Sequence, residues 1–530
     1  MTKKQQFAIL LAVNVFIALA FFLNNLGVGP SAFSSDQHNI VAMCLKLDNP
    51  NLFQKDVFLD DVANFRYYIP FFIQTLRGIA WITGGDYILA LNLWNTFTHV
   101  LFGLTWFLLG FYVLKRRFWI ALFLSILIRG VVWLPGYEFW GISDLWAFTP
   151  RTFFAALLPI PFILLFTQWK HKLLWANLCL GLILNWHPIS GIGAILLFYS
   201  FLLGSYLFNG KRTSLSQFFL GVGLLLLGMF PFLARYFFKI DMQANYDTQI
   251  YNAAFLERLP AFFQDPVLFL KQWKISKILF FITPLVVLFF IGFFKNKTFV
   301  KYAAIVACMA LVVFVFPMVL FPLENWLNEA YGLNIRMAFQ LIRIQKMTIL
   351  PLYFSIGFLF LFVYEQFQRV KKWSPWVVGV YFLLVILAQP KTFKGVFFVS
   401  DDITTRILPK WQTLFLPFEE RKTSFDKMAA YVAAETPEQA VFYKNYRIRA
   451  AASKSVLMDT KGPGMLIEGN PQKLVSWYRT YEKVQVMKSP EKWEALKQLG
   501  VTHVLLRKDP KEDYLMLLHQ EGAYLLFKIK

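Results

Sequence analysis

The stretch FAILLAVNVFIALAFFLNNLGVG, residues 7–29, is almost wholly apolar and passes directly into PSAFSSDQHNI at 30–40. The first part is long enough to cross a bilayer core. The second carries Asp36 close to where such a span would leave the membrane. Four further carboxylates, Asp48, Asp56, Asp60 and Asp61, follow before the next apolar run. The span follows Lys3 and Lys4 and lacks a small-residue cleavage site, so it reads as a signal-anchor rather than a cleaved signal peptide.

Working outward, the pattern repeats. Of 530 residues, 57% are hydrophobic and 19% aromatic, with a mean hydropathy of +0.50, beyond the range of ordinary soluble domains. Apolar windows predict eleven membrane helices, at 7–29, 87–114, 118–135, 151–168, 173–187, 189–208, 215–238, 276–294, 299–322, 347–366 and 374–390. The fold class expected is therefore an α-helical polytopic membrane protein. The net charge of +22 would suggest nucleic-acid binding in a soluble chain. Here much of it falls in short connections between spans, and no nucleic-acid partner is expected.

Lys3/Lys4, Lys115–Arg117, Lys170–Lys172, Lys211/Arg212, Lys295/Lys297 and Arg369–Lys372 occupy every second connection. Short basic loops stay cytoplasmic. The amino terminus is thus expected inside, and loops 30–86, 136–150, 239–275 and 323–346 outside. An odd number of spans places the tail outside too. Lys271, Lys274 and Lys277 run against this trend. Residues 67–83 are apolar, but Arg77 and the flanking loops favour a helix lying on the outer face; counted as a span, it would invert everything downstream. Asn185-Trp186-His187-Pro188 marks a break that could be re-entrant.

Domain boundaries are expected at 390 and 420: a membrane domain over 1–390, a connector over 391–420 and a small α/β domain over 421–530. In the tail, helical patterns at 424–435, 471–482 and 490–499 alternate with apolar runs at 440–443, 455–458, 502–506 and 523–529. It carries no glycine-rich phosphate loop or nucleophile elbow. Cys44, Cys179 and Cys308 are widely separated and imply no disulfide or metal framework. No spacing resembles a zinc site and no Asp-x-Asp is present, so neither metal nor cofactor is expected.

Several polar residues could carry chemistry. Asp36 could accept a proton from an acceptor hydroxyl, or simply cap the helix starting near Ile40, as Ser34 and Ser35 also could. Asp56 is the second candidate base, although Lys55 beside it suits a surface ion pair. Arg336, Gln340 and Arg343 share a face if 334–346 is helical, and two guanidiniums there suit a phosphate or pyrophosphate. Snorkelling to lipid headgroups is the alternative. Arg151 begins a span, and His187 precedes the proline at the break; each could face substrate or serve structure alone. Arg129 lies deeper and needs a partner, with Glu138 and Asp144 as candidates.

This layout resembles the GT-C superfamily of membrane glycosyltransferases. The likeness rests on Asp36-Gln37, Asn49-Pro50 with Phe53 and Asp56, Pro150-Arg151, His187-Pro188, and Arg447, Asp459, Lys461, Trp477 and Arg479 in the tail. It implies transfer of a sugar from a polyprenyl-phosphate or polyprenyl-diphosphate donor to a glycan, lipid or protein acceptor outside the bacterial cytoplasmic membrane. Asp36 would take the catalytic-base position with Asp56 as runner-up, and Arg336 and Arg343 the lipid phosphate. The missing Asp-x-Asp departs from some branches of that superfamily. A transporter or flippase using Arg129, Arg151 and His187 is the alternative, although it leaves the tail unexplained and no pseudo-symmetric halves are visible. A non-catalytic envelope-assembly protein is the third reading.

Overall fold

The computed structural model describes residues 1–67, 70–130, 143–210, 214–236, 246–271, 275–388 and 399–530. The chain divides into two compact units. The first comprises Met1–Asn24, Asn95–Met242 and Ala261–Leu414, the second Asn25–Trp94, Gln243–Pro260 and Phe415–Lys530.

The first unit is built of apolar helices. Seven described helices are long and apolar enough to cross a membrane: Lys3–Asn24, Tyr87–Val113, Pro188–Asn209, Leu215–Tyr236, Lys297–Tyr331, Ala338–Gln366 and Gln368–Leu387. Tyr87–Val113 enters this unit from the second one. Shorter apolar helices follow the remaining hydrophobic runs, among them Phe118–Gly130, Pro150–Phe166 and Lys172–Leu184. Each of the eleven apolar windows overlaps a described helix, and the protein is a multi-pass membrane protein.

Helix contacts in this unit show why small and polar residues sit inside apolar segments. A Cβ on Gly181 would lie 2.2 Å from the Leu225 carbonyl, and one on Gly228 2.7 Å from that of Leu178. The two backbones approach closely only because both positions are glycine. At the break after Leu184, the Asn185 carboxamide turns into the neighbouring helix Leu215–Tyr236. It donates to the Gly228 carbonyl at 2.8 Å and accepts from the Phe232 N–H at 3.0 Å, bridging the turn that contains Pro231. A side chain inserted into a helical ladder in this way satisfies groups that a proline kink displaces.

The second unit holds a five-stranded sheet of β1 (Val441–Tyr443), β2 (Ser455–Leu457), β3 (His503–Leu506), β4 (Leu515–Glu521) and β5 (Tyr524–Ile529). Their order is β2-β1-β3-β5-β4, parallel across the first three and antiparallel across the last two pairings. Successive side chains of a strand point to opposite faces. Val441, Tyr443, Leu457 and Val504 accordingly pack with Trp493 and Leu496. Phe442, Val456 and Leu505 pack on the other face with Phe425, Met428 and Val432 of the helix Ser424–Glu435. The sheet is therefore covered on both sides, as parallel strands require.

The loop that follows the first span belongs to this second unit. Its helix Ser35–Asp48 buries Ile40, Val41, Ala42, Met43 and Cys44. The helix Pro70–Ile82 has 13 residues, about 20 Å of length. It buries Phe72, Ile73 and Leu76 and leaves Trp81 84% exposed.

Candidate functional site

Asp36 stands in the first turn of the helix Ser35–Asp48, and Ser34 is the N-cap. The Ser34 hydroxyl accepts from the Gln37 N–H at 3.4 Å, and the Gln37 side chain accepts from the Ser34 N–H at 2.7 Å. This reciprocal box meets the helix start without Asp36. The Asp36 carboxylate instead faces the Lys461 ammonium at 3.2 Å, and the two side chains are 35% and 34% exposed. A carboxylate here also gains from the helix dipole. His38, two residues on, is buried edge-to-face against Phe33 and Tyr446. Burial, with the nearby Arg447 charge, lowers its pKa to about 3, so the ring is neutral at ordinary pH.

The other loop acids have different surroundings. Asp56 is completely buried with Arg449, whose Nε donates to it at 2.5 Å and whose Nη2 does so at 3.2 Å. The same Nη2 reaches Asp459 at 2.6 Å and the Val456 carbonyl at 2.9 Å. Asp56 further accepts the N–H groups of Val456 at 2.8 Å and Phe58 at 3.0 Å. Burial pushes the Asp56 carboxyl up, opposed by the charge and hydrogen bonds of Arg449. Burial also disfavours the Arg449 cation, yet the charges of Asp459 and Asp56 outweigh it and raise its pKa. Asp48 is bound by Arg77 at 2.6 Å and by the Tyr87 hydroxyl. Asp60 is held by Lys473 and Asn64, and Asp61 caps the turn at Ala63.

Asp36 thus meets Lys461, and Asp56 meets Val456 and, through Arg449, Asp459. Asp459 accepts the N–H groups of Lys461 and Gly462 at 2.8 and 2.5 Å. Arg258 donates to the carbonyls of Thr460 and Lys461 at 3.2 and 3.4 Å, and the Asn39 amide to that of Lys461 at 3.5 Å. Of the other tail residues singled out in the sequence, Arg447 lies 3.8 Å over the Phe425 ring. Trp477 packs on Phe58 and Tyr481, and Arg479 pairs with Asp247 at 2.9 Å. In the sequence Arg258 shows only as a basic residue within loop 239–275.

The arginine segment lies in the first unit. It is not one continuous α-helix: the α-helical turn covers Ala338–Leu341 and 3₁₀ winding covers Ile342–Thr348. The Glu324 carboxylate accepts the N–H groups of Met337 and Ala338, each at 2.7 Å, and so starts the helix after Arg336. Asn328 braces Ile335 through both its N–H and its carbonyl. Arg336 therefore precedes the helix that carries Gln340 and Arg343. In 3₁₀ winding, side chains three apart stand over one another, which puts Arg343 and Lys346 on the same side. The Arg343 guanidinium covers the Phe263 ring at 4.5 Å.

Deeper in the same unit, Arg129 is fully buried. Glu138, one proposed mate, lies outside the described residues. Among the described residues its contacts are neutral: Asn14 Oδ1 at 2.6 Å, the His99 carbonyl at 2.7 Å and His99 Nδ1 at 3.0 Å. His99 Nε2 lies 3.0 Å from the Ser143 carbonyl, which also accepts from Asn95 at 2.8 Å. Asp144 instead accepts the Ala147 N–H at 3.1 Å. Asn95 and His99 are spaced i, i+4 inside an apolar run, a polar stripe that could have pointed to this cluster. His187 caps the helix Pro188–Asn209 by accepting the Ser190 N–H at 3.2 Å. Arg151 lies in the first turn of Pro150–Leu157, where the Thr152 hydroxyl accepts the Thr149 N–H at 2.7 Å.

No family model matches the sequence, and no curated protein matches it. Solved structures do. The apo form of the Archaeoglobus fulgidus oligosaccharyltransferase superposes with a TM-score of 0.52 at 11% identity, covering 95% of this chain and 70% of that one. The fold is GT-C-like. The same archaeal enzyme with Zn and sulfate gives a TM-score of 0.44 at 12% identity, over 93% of this chain and 67% of that one. Apo ArnT from Cupriavidus metallidurans gives 0.49 at 12% identity, over 98% and 97%. The Asp36 loop and the tail sheet belong to one compact unit.

Proposed function

We propose that this protein is a glycosyltransferase. It moves a sugar from a polyprenyl-phosphate-type lipid donor to an envelope acceptor on the outer side of the cytoplasmic membrane. The observation that carries the reading is the setting of Asp36: half-exposed at a helix start whose cap is Ser34, with the Lys461 ammonium at 3.2 Å. A base must reach an acceptor hydroxyl, and this carboxylate is accessible enough to do so. Asp56 is engaged by Arg449 and two backbone amides. Its role in this reading is to hold the Asp459–Gly462 turn.

In the reaction, Asp36 takes the proton of the acceptor hydroxyl as its oxygen bonds to the anomeric carbon. The bond from that carbon to the lipid phosphate oxygen breaks, and the phosphate leaves with the electron pair. Arg336, Arg343 and Gln340 are assigned to binding the phosphate of the lipid donor. Such preorganised donors contribute about 3 kcal/mol each to a transition state. Support for the donor class comes from the GT-C-like fold and from an apolar cavity of about 290 Å³ in the same unit as the arginines, lined by Leu285, Val306, Phe314, Thr348 and Leu352. A prenyl chain is a chemical match for that lining. Arg151 and His187 are assigned to substrate positioning through the helix starts they occupy.

The test is incubation of the purified full chain with radiolabelled polyprenyl-phosphate and polyprenyl-diphosphate sugars and an envelope extract as acceptor. Label should move from the lipid fraction to the acceptor fraction with at least one donor class. Label that stays lipid-linked with every donor, in protein that is folded, removes the transferase reading.

A further inference from the structure

A pair of cavities in the first unit lies at the end of the helices opposite to the arginine segment. Helix Lys297–Tyr331 has 35 residues, about 50 Å of length; it begins beside these cavities and ends next to Asn334–Lys346. One cavity, of about 340 Å³, is walled by Phe166, Phe201, Phe354 and Phe358, with Asn209 and Lys301 among its lining residues. The other, of about 360 Å³, is lined by apolar groups together with Trp169, Lys172 and Gln217. Both are lined by Phe166, Phe201 and Ser205, so they are neighbours across one partition.

The linings sit where the chain is most basic. Val113 precedes Lys115–Arg117, Phe166 precedes Lys170–Lys172, and Thr298 follows Lys295 and Lys297. Lys115 is occupied by Glu365 at 2.7 Å, and Lys172 donates to the Thr167 carbonyl at 3.1 Å. Lys301 is exposed at its cavity, and Tyr302 beside it stacks on Phe358 at 4.4 Å. Two aromatic-lined slots side by side, with the exposed Lys301 at one and Lys172 turned to a backbone carbonyl at the other, match a molecule that has two hydrocarbon chains and one negative head.

We propose that this basic end holds an anionic glycerophospholipid, with one acyl chain in each cavity and its phosphate on Lys301. The site is separate from the donor contacts assigned to Arg336 and Arg343, and it would fasten the helix ends that line it to one leaflet. A single-chain or neutral lipid fills only part of this description, and a free phosphate leaves both slots empty.

The test uses the purified full chain in detergent, with native mass spectrometry after adding phosphatidylglycerol, phosphatidylcholine or glycerol 3-phosphate. Wild-type protein should retain one phosphatidylglycerol, and phosphatidylcholine should be retained at least about tenfold less, the scale set by one charge-assisted contact. Lys301→Gln should lower phosphatidylglycerol retention by a similar factor at an unchanged melting temperature. Ser205→Leu, which fills the partition, should lower retention of both lipids. Equal retention by wild type and Lys301→Gln, or equal retention of the two lipids, overturns the proposal. Displacement of phosphatidylglycerol by glycerol 3-phosphate would also overturn it, showing an anion site without a lipid requirement.

Discussion

The Arg449 guanidinium forks onto the Asp56 carboxylate, with Nε at 2.5 Å from Oδ2, across 393 residues of sequence. Both side chains are completely buried. A strand-flanking helix of the tail and a turn of the first loop are thereby tied together inside one unit. Removing one partner of such a pair leaves an uncompensated charge in a dry site, which costs about 3–5 kcal/mol. Asp56→Ala and Arg449→Ala should each lower the melting temperature of the detergent-purified protein sharply, and the double variant should lose less than the two together. Strict additivity in that cycle would show that the two residues act independently.

Acid should loosen the same unit through its buried histidines. In an unfolded chain a histidine binds its proton near pH 6.5, whereas His38 does so only near 3 and His503 only near 4. Between these values the unfolded chain holds more protons, so stability falls as pH drops from about 6.5 towards 4. The slope contributed by His38 is at most about 1.4 kcal/mol per pH unit, and His503 acts in the same direction. Denaturant titrations at pH 7 and pH 5 should show this loss, and His38→Gln should flatten it. A His38→Gln protein with the same pH dependence as wild type would show that another group is responsible.

Gly103 makes the room in which Arg129 is solvated by neutral groups. A Cβ at this position would fall 2.3 Å from Arg129 Nη2 and would overlap Asn14 Oδ1. Gly103→Ala should therefore break the Asn14–Arg129 hydrogen bond and lower thermal stability. Asn14→Leu should cost about 1–3 kcal/mol by leaving a buried charged donor unmet. Thermal unfolding of both variants checks this, and a Gly103→Ala protein as stable as wild type contradicts the packing described here.

Lys461 touches Asp36 from a half-exposed position, where an ion pair adds at most about 1 kcal/mol to stability. Lys461→Ala should leave the melting temperature nearly unchanged. Under the proposed function it should lower kcat for transfer by misplacing the base, with a smaller effect on the KM for the lipid donor. Arg343→Gln should do the reverse and raise that KM. Steady-state kinetics of the two variants side by side separate the roles; a shared profile would argue against the assignment.

What the sequence made legible follows from the range of the interactions involved. The apolar runs and the tail patterns at 424–435, 440–443 and 502–506 rest on local periodicity, and they correspond to Ser424–Glu435, Val441–Tyr443 and His503–Leu506. Strand β4, LMLLHQE, does not alternate cleanly and has a register irregularity between Leu517 and His519, which hid it. The expected helix over 334–346 breaks because Glu324, distant in sequence, caps it after Arg336. The five loop acids look alike along the chain. What distinguishes them is contact with Arg77, Arg449, Lys473 and Lys461, and three of those four cations lie in the tail. Arg129 was expected to need a carboxylate, but its described partners are an amide, an imidazole and a carbonyl, which carry no charge signature in sequence.

The role of Asp36 as base is tested by sugar transfer by Asp36→Asn beside wild type, both in folded full-length protein, with the lipid-linked donor that wild type uses. Asparagine keeps the shape of the side chain and removes its basicity. Transfer should fall by at least about 100-fold, the scale of a missing general base, with donor binding and melting temperature retained. Transfer at the wild-type rate by the Asp36→Asn protein would contradict that role.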